Sequence, residues 1–157
     1  MIKSVLFVCL GNICRSPTAE AVFRDRACRA GLADIFIDSA GTGGWHMGKA
    51  PDGRSIAAGA ERGYDLRDLR ARQIQQEDFR RFDLVLAMDR QNLKDIRRLA
   101  GPKTTARIEL LLDYLPDTRQ QDVPDPYYGD ADGFTEVIDL VEQAVDALIV
   151  VLAQQRG

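Results

Sequence analysis

The chain has 157 residues, 45% hydrophobic and 29% charged, an ordinary composition for a soluble globular protein and enough for one domain, residues 1–157, around a single sizeable core. A formal net charge of −3 gives no footing for general nucleic-acid binding, and no segment approaches the roughly 20 apolar residues that a membrane-spanning helix needs. Three cysteines make an odd count whose spacing suggests no disulfide framework. Met1 to Ser4 run straight into an apolar segment with no room for a signal peptide, so the cytoplasm is the expected compartment.

Residues 3–8, which hold the apolar run Val5-Leu6-Phe7-Val8 with its β-branched side chains, predict a short, fully buried strand. Residues 9–17, CLGNICRSP, then turn into a helix with Ser16 as its cap and Pro17 in its first position. That helix runs to about Ala30, and Gly31 ends it. Ala19, Val22, Phe23 and Ala27 share one face, and Cys28 is expected to be a small buried apolar residue of the same helix. Residues 35–38 predict a second strand, and a glycine-rich loop over 39–44 leads to the chain's only tryptophan, Trp45. Asp52 and Arg54 open a helix through about Arg62, which Gly63 breaks.

A helical turn is expected over 76–81 and a third strand over 84–88. Asp89 begins a helix that stops at Gly101 and Pro102. Residues 108–112 predict a fourth strand, and 116–133 an irregular loop. In the last helix Phe134, Val137, Ile138, Val141, Val145, Leu148 and Leu152 recur at helical spacing opposite Asp139, Glu142 and Asp146. Arginines crowd residues 54–107 and acidic residues crowd 113–139; most such charges solvate helix faces.

Strands alternating with helices imply parallel pairing through right-handed crossovers. Four strands fit a flavodoxin-like α/β sandwich of three layers, with a parallel sheet in the order 2-1-3-4. Ligands of such sheets sit beyond the carboxyl ends of the strands, beside the first strand. Cys9, Trp45, Asp89 and the 116–133 loop all approach that edge.

A loop between a buried strand and a helix start presents several backbone N–H groups to one point, where the helix adds partial positive charge. Arg15 adds a full charge and a two-pronged donor that matches phosphate oxygens. Cys9 lies in the floor of this cradle, set up to react as the thiolate. Ser16 can donate to that sulfur, Gly11 permits close backbone approach, and Asn12 tolerates a left-handed conformation that shapes the loop. A nucleotide P-loop is excluded because no Gly-Lys-Ser/Thr ending is present. Attack on phosphorus also needs an acid for the leaving oxygen, and Asp125 between Pro124 and Pro126 is the best candidate. Tyr127 and Tyr128 beside it can stack on an aromatic leaving group, with Trp45 as another wall. Cys14 has two readings: inert packing behind the loop, or a reversible disulfide with Cys9. His46 is the only histidine, and it leaves too few ligands for a metal.

The chain resembles the low-molecular-weight protein tyrosine phosphatases. The resemblance rests on Val8 to Pro17, Ala19-Glu20, Ser39 to Thr42, Ala71-Arg72-Gln73, Met88-Asp89 with Asn92, and Asp125-Pro126-Tyr127, in order along almost the whole chain. It implies Cys9 as nucleophile, Arg15 as phosphate clamp and Asp125 as general acid. The phosphate-binding loop is then Leu10, Gly11, Asn12, Ile13, Cys14, Arg15 and Ser16, with Cys14 the redox partner and Trp45, Tyr127 and Tyr128 around the substrate ring. It implies phosphotyrosine proteins as substrates, inhibition by phosphate-like oxyanions, no cofactor or metal, and neither nucleic acid nor membrane as partner; many bacterial relatives oppose a tyrosine kinase. One departure stands out. Many members carry a histidine two residues before the Ala-Arg-Gln segment, in support of the loop asparagine; here that position is Leu69.

Three other chemistries compete on the same scaffold. Arsenate reductases of this fold pass electrons through later cysteines, and none follows Cys28. Phosphoarginine phosphatases tend to carry threonine where this chain has Ile13. A non-catalytic, redox-switched phosphopeptide reader would use the same loop but would need no acid at Asp125.

Overall fold

In the computed structural model, which describes residues 1–115 and 119–157, a four-stranded parallel sheet has the order β2-β1-β3-β4. The strands are β1 (Ser4–Cys9), β2 (Phe36–Gly41), β3 (Leu84–Ala87) and β4 (Arg107–Leu110). β1 is buried along its whole length, and its side chains alternate between two cores. Val5, Phe7 and Cys9 face one core with Leu84 and Leu86; Leu6 and Val8 face the other with Val85 and Ala87. The parallel register places Val5 beside Leu84 and Phe7 beside Leu86, so each face is continuous across strands. This is why the strands read as unbroken apolar runs rather than as alternating ones.

Helices α1 (Arg15–Arg29) and α5 (Ala131–Arg156) cover the first face, with α2 (Gly53–Glu61) against α5. Helices α3 (Asp78–Arg81) and α4 (Arg90–Ala100) supply Phe79 and Ile96 to the core on the second. The predicted apolar faces of the first and last helices are buried as expected.

Several boundaries differ from the sequence reading. The cap of α1 is Cys14, not Ser16, because the Ser16 hydroxyl is turned toward Cys9 rather than back onto the helix backbone. Cys28 is exposed, because it falls on the solvent side of α1 next to the buried Ala27. β2 continues through Ser39, Ala40 and Gly41, which pair with Phe7, Val8 and Cys9. β4 ends at Leu110, and Leu111–Tyr114 form a 3-10 turn. α5 begins at Ala131 and takes up the last three residues of the predicted loop, whose first three residues lie outside the described ones.

Candidate active site

The chain leaves the sheet at Cys9, between β2 and β3, and returns at once as α1. Asn12 makes this possible: at φ 58° it is the one non-glycine residue with positive φ among the described residues. The turn points the Asn12 N–H at Cys9 Sγ, 3.3 Å away. The Asn12 side chain is fully engaged. Its Nδ2 donates to Ser16 Oγ at 2.7 Å and Ser39 Oγ at 3.0 Å, and its Oδ1 accepts from Arg72 N at 2.9 Å. Ser39 Oγ donates a hydrogen bond to buried Glu20 at 2.6 Å, and Arg24 pairs with Glu20 at 2.8 Å. The loop asparagine is thus held by two serines and a backbone N–H, with Glu20 behind Ser39, while Leu69 packs against the core.

Ser16 Oγ lies 3.0 Å from Cys9 Sγ. Because Ser16 accepts from Asn12, its single proton is free for the sulfur or for Ala40 O at 3.4 Å. A thiolate is the stronger acceptor and would take it. β2 approaches this loop closely: a Cβ on Gly41 would come within 2.7 Å of Leu10 O, so only glycine fits.

Arg15 is 3% exposed. Its Nη1 donates to Asp89 Oδ2 at 2.6 Å and to Val123 O at 3.1 Å. Asp89 also caps α4, its Oδ1 accepting from Asn92 N at 2.7 Å. With Nη1 so occupied, the other edge of the guanidinium is turned to the cleft, where Asp125 Oδ2 lies 3.5 Å from Nη2. Burial works against the Arg15 charge, but Cys9, Asp89 and Asp125 outweigh it and hold the guanidinium above its ordinary pKa. Asp125 is tied locally, its Oδ1 accepting from Tyr127 N at 3.1 Å.

These groups border a cleft of about 290 Å³. Its floor is Cys9, Gly11, Ile13 and Arg15; its walls are Trp45, His46, Asp125, Tyr127 and Tyr128. Tyr128 is almost fully exposed and meets Tyr127 edge to face, ring centres 4.9 Å apart. Trp45 is exposed, and its ring lies over Gly43. Cys14 borders the same cleft but is buried, and burial pushes its thiol up to about 12, only partly offset by a hydrogen bond with Ser55. Among the described residues no group of three or more His, Cys, Asp or Glu side chains is placed to hold a metal ion.

Cys9, Arg15, Asp125, Cys14, Trp45, Tyr127 and Tyr128, picked out from sequence, all meet at this cleft; Asn12 and Ser16 stand behind it as supports. Sequence reasoning missed His46 as a wall. Its ring packs on Gly11 and lies 6.2 Å from that of Tyr127, with Nδ1 buried and unpartnered among the described residues. It also missed the grip of Asp89 on Arg15, and the Ser39–Glu20 support. Asp89 was visible as a helix start, but nothing local reveals a partner 74 residues away.

A strand-end cysteine, a helix-borne arginine and a loop carboxylate around one cleft define a phosphate-handling α/β enzyme. Residues 4–156 match the family described as low molecular weight phosphotyrosine protein phosphatase. The low molecular weight protein-tyrosine-phosphatase of Streptomyces coelicolor is 50% identical over 159 residues, covering 99% of this chain and 96% of that one. The crystal structure of YfkJ from Bacillus subtilis superposes with a TM-score of 0.93 at 43% identity, over 100% of this chain and 98% of that one. A Drosophila arginine phosphatase superposes at 0.90 with 31% identity, over 97% and 98%. The chain belongs to the low molecular weight protein tyrosine phosphatase family, and is a hydrolase of that class.

Proposed function

We propose that this phosphatase cleaves phosphotyrosine in proteins with Cys9 as nucleophile, Arg15 as phosphate clamp and Asp125 as general acid and base. The observation that carries the reading is the convergence of these three side chains on one cleft, from positions 9, 15 and 125. The Cys9 thiolate attacks phosphorus as the bond to the tyrosine oxygen breaks, and Asp125 gives that oxygen its proton. The free edge of Arg15 and the loop N–H groups meet the equatorial oxygens, where charge gathers in the transition state. In the second step Asp125 takes a proton from water as it attacks the Cys9 phosphoenzyme, and phosphate leaves with the thiolate restored. Ser16 eases this departure by donating to the sulfur.

Aromatic walls and the bulk of Ile13 favour phosphotyrosine over phosphoarginine. Faster cleavage of phosphoarginine than of phosphotyrosine peptides, measured side by side, would reverse that preference. The natural substrates are then phosphotyrosine proteins, opposed by a tyrosine kinase, and phosphate-like oxyanions compete for the loop. A reducing compartment such as the cytoplasm suits a mechanism that depends on a free thiolate. Peroxide would oxidise the Cys9 thiolate to the sulfenic acid, and the Cys14 thiol would condense with it, releasing water and closing a disulfide. Because the Cys14 thiol ionises only near 12, the initial oxidation falls on Cys9 rather than Cys14. In the variant Cys14→Ser the sulfenic acid stays open to further peroxide, which carries it to the sulfinic acid, so dithiothreitol should restore progressively less activity than in wild type as exposure to peroxide lengthens.

The direct test is hydrolysis of p-nitrophenyl phosphate in EDTA and a thiol reductant, wild type against Cys9→Ser. Activity in the wild type and none in the variant is the expected result. Full activity in the variant would overturn the mechanism.

A further inference from the structure

Two Asp-x-Arg turns in this chain are built alike and end differently. In the first, Asp52 Oδ1 accepts from Arg54 N and Nε at 2.9 and 3.0 Å, and Oδ2 from Nη2 at 2.9 Å. In the second, Asp65 makes the same three bonds to Arg67, each at 3.0 Å. Among the described residues the Arg67 side chain bonds to no other residue, and it is largely exposed. Arg54 instead crosses to another part of the molecule. Its Nη2 donates to Tyr127 O at 2.9 Å and its Nη1 to Gly129 O at 3.4 Å. Its guanidinium also lies 4.6 Å from the centre of the Phe134 ring and 5.7 Å from that of Tyr127.

These contacts matter because of what lies between the fastenings of that loop. On its N-terminal side Val123 is fixed, donating to Met88 O at 2.8 Å and accepting from Arg15. Asp122 is held by Arg90 at 3.0 Å. On its C-terminal side the segment after Asp125 is fastened to α2 through Arg54. Asp125 sits midway, two residues from Val123 and two from Tyr127. The other end of the strap reaches the phosphate loop, because Asp52 N donates to Ile13 O at 2.8 Å. A continuous path thus runs from Ile13 through Asp52 and Arg54 to the loop carrying Asp125. A carboxyl group acting on a leaving oxygen must be held within a fraction of an ångström of its working position.

We infer that Arg54 is a positioning residue for proton donation by Asp125, acting as a guanidinium strap that fixes the acid loop to the phosphate loop. The inference rests on the reading of Asp125 as the general acid. Arg54 does not face the reacting atoms; it acts through Tyr127 and Gly129. The cation is secure, because the Asp52 hydrogen bonds and charge hold it above its ordinary pKa.

The readout is dependence on the leaving group. A nitrophenolate departs without help, whereas a phenolate of ordinary basicity needs a proton in the transition state. Arg54→Gln, Arg54→Lys, Asp125→Asn and Arg67→Gln are compared by kcat/KM on p-nitrophenyl phosphate and phenyl phosphate, with Tm measured for each. Arg54→Gln should lose about 10–100-fold on phenyl phosphate, part of what a general acid supplies, and under about 3-fold on p-nitrophenyl phosphate. Arg54→Lys keeps the charge but lacks the two-nitrogen fork, and should recover only part of the loss. Arg67→Gln, which removes the same local turn elsewhere, should leave both rates unchanged. Equal losses on both substrates in Arg54→Gln and Arg54→Lys, or no loss on either, would overturn the inference while Asp125→Asn still shows the selective loss. If Asp125→Asn shows no selective loss, the reading of Asp125 itself fails. The two failures are therefore separable.

Discussion

Two of the places where arginines meet carboxylates in this molecule put the pairing to different ends. On the flank formed by α1, α2 and α5, Arg26 bonds to Asp146, Glu142 and the Tyr64 hydroxyl at 2.9–3.1 Å. Arg62 pairs with Glu142 and Asp139 at 2.6 Å, and Tyr64 donates to Glu142 at 2.6 Å. Each guanidinium there is answered by carboxylates from other elements, and the result is cohesion. At the carboxyl edge of the sheet Arg15 is more deeply buried, yet it is anchored mainly through one nitrogen and turns its other edge to the cleft. A buried cation held by part of its donor set is a binding device; one whose two terminal nitrogens both meet carboxylates is a clamp between helices.

The contrast predicts that substitutions at the two places separate activity from stability. The largest effect belongs to Cys9→Ser. It should lower kcat on the order of 10⁶-fold, the scale on which a covalent nucleophile acts, with little change in Tm because the side chains are nearly the same size. Substantial turnover with an unchanged Tm would break the distinction. Asp125→Asn comes next, at about 10²–10⁴-fold on phenyl phosphate, and again with Tm nearly unchanged because the side chain is nearly half exposed.

Asp89→Asn probes the boundary between the two uses, since Asp89 both caps α4 and grips Arg15. Asparagine can still cap a helix, so the expected loss falls on the grip. A hydrogen bond to a charged group is worth about 1.5–3 kcal/mol, so kcat/KM should fall about 10–100-fold. Parallel kinetics and thermal melts check this. A fall in Tm with unchanged kinetics would make Asp89 part of the scaffold only.

The parts of this arrangement readable in advance were those coded locally. β1 announced itself because a strand buried on both faces must be apolar throughout. Alternating strands and helices implied parallel pairing, and the 2-1-3-4 order is the flavodoxin-like one that four such strands fit. Cys9, Arg15 and Asn12 were legible because one short loop carries a nucleophile, a guanidinium and a residue tolerant of positive φ. Ser16 misled as a helix cap because its hydroxyl serves the sulfur instead, a use that local propensity cannot weigh. The end of β2 misled because glycine there reads as a turn, whereas it answers a close approach of Leu10 O from another segment. Asp89, His46, Arg54 and Glu20 escaped for one reason: each acts on a residue far away in sequence. Leu69 was a true departure, and the structure meets it through Ser39 and Arg72 N around Asn12.

The smallest effect is the one that isolates the flank. Burial pushes the Glu142 carboxyl upward, but hydrogen bonds from Tyr64 and Arg62, with the charges of Arg62 and Arg26, bring it below the ordinary 4.5. A carboxylate lowered by folding stabilises the native state above its unfolded pKa, and that contribution fades as pH falls through the folded value. Wild type should therefore exceed Glu142→Gln in Tm at neutral pH and lose that advantage below about pH 4.5. The neutral-pH gap should be about 1–2 kcal/mol, or a few degrees for a chain of this size. Asp139 and Asp146 are present in both proteins, so the difference between the two curves reports Glu142. Steady-state kinetics at neutral pH should be the same in both, because none of Glu142, Tyr64, Arg26 and Arg62 borders the cleft. A gap that persists undiminished into acid would mean that the carboxylate's charge contributes nothing to the flank, and that hydrogen bonds the neutral carboxylic acid also makes account for the difference.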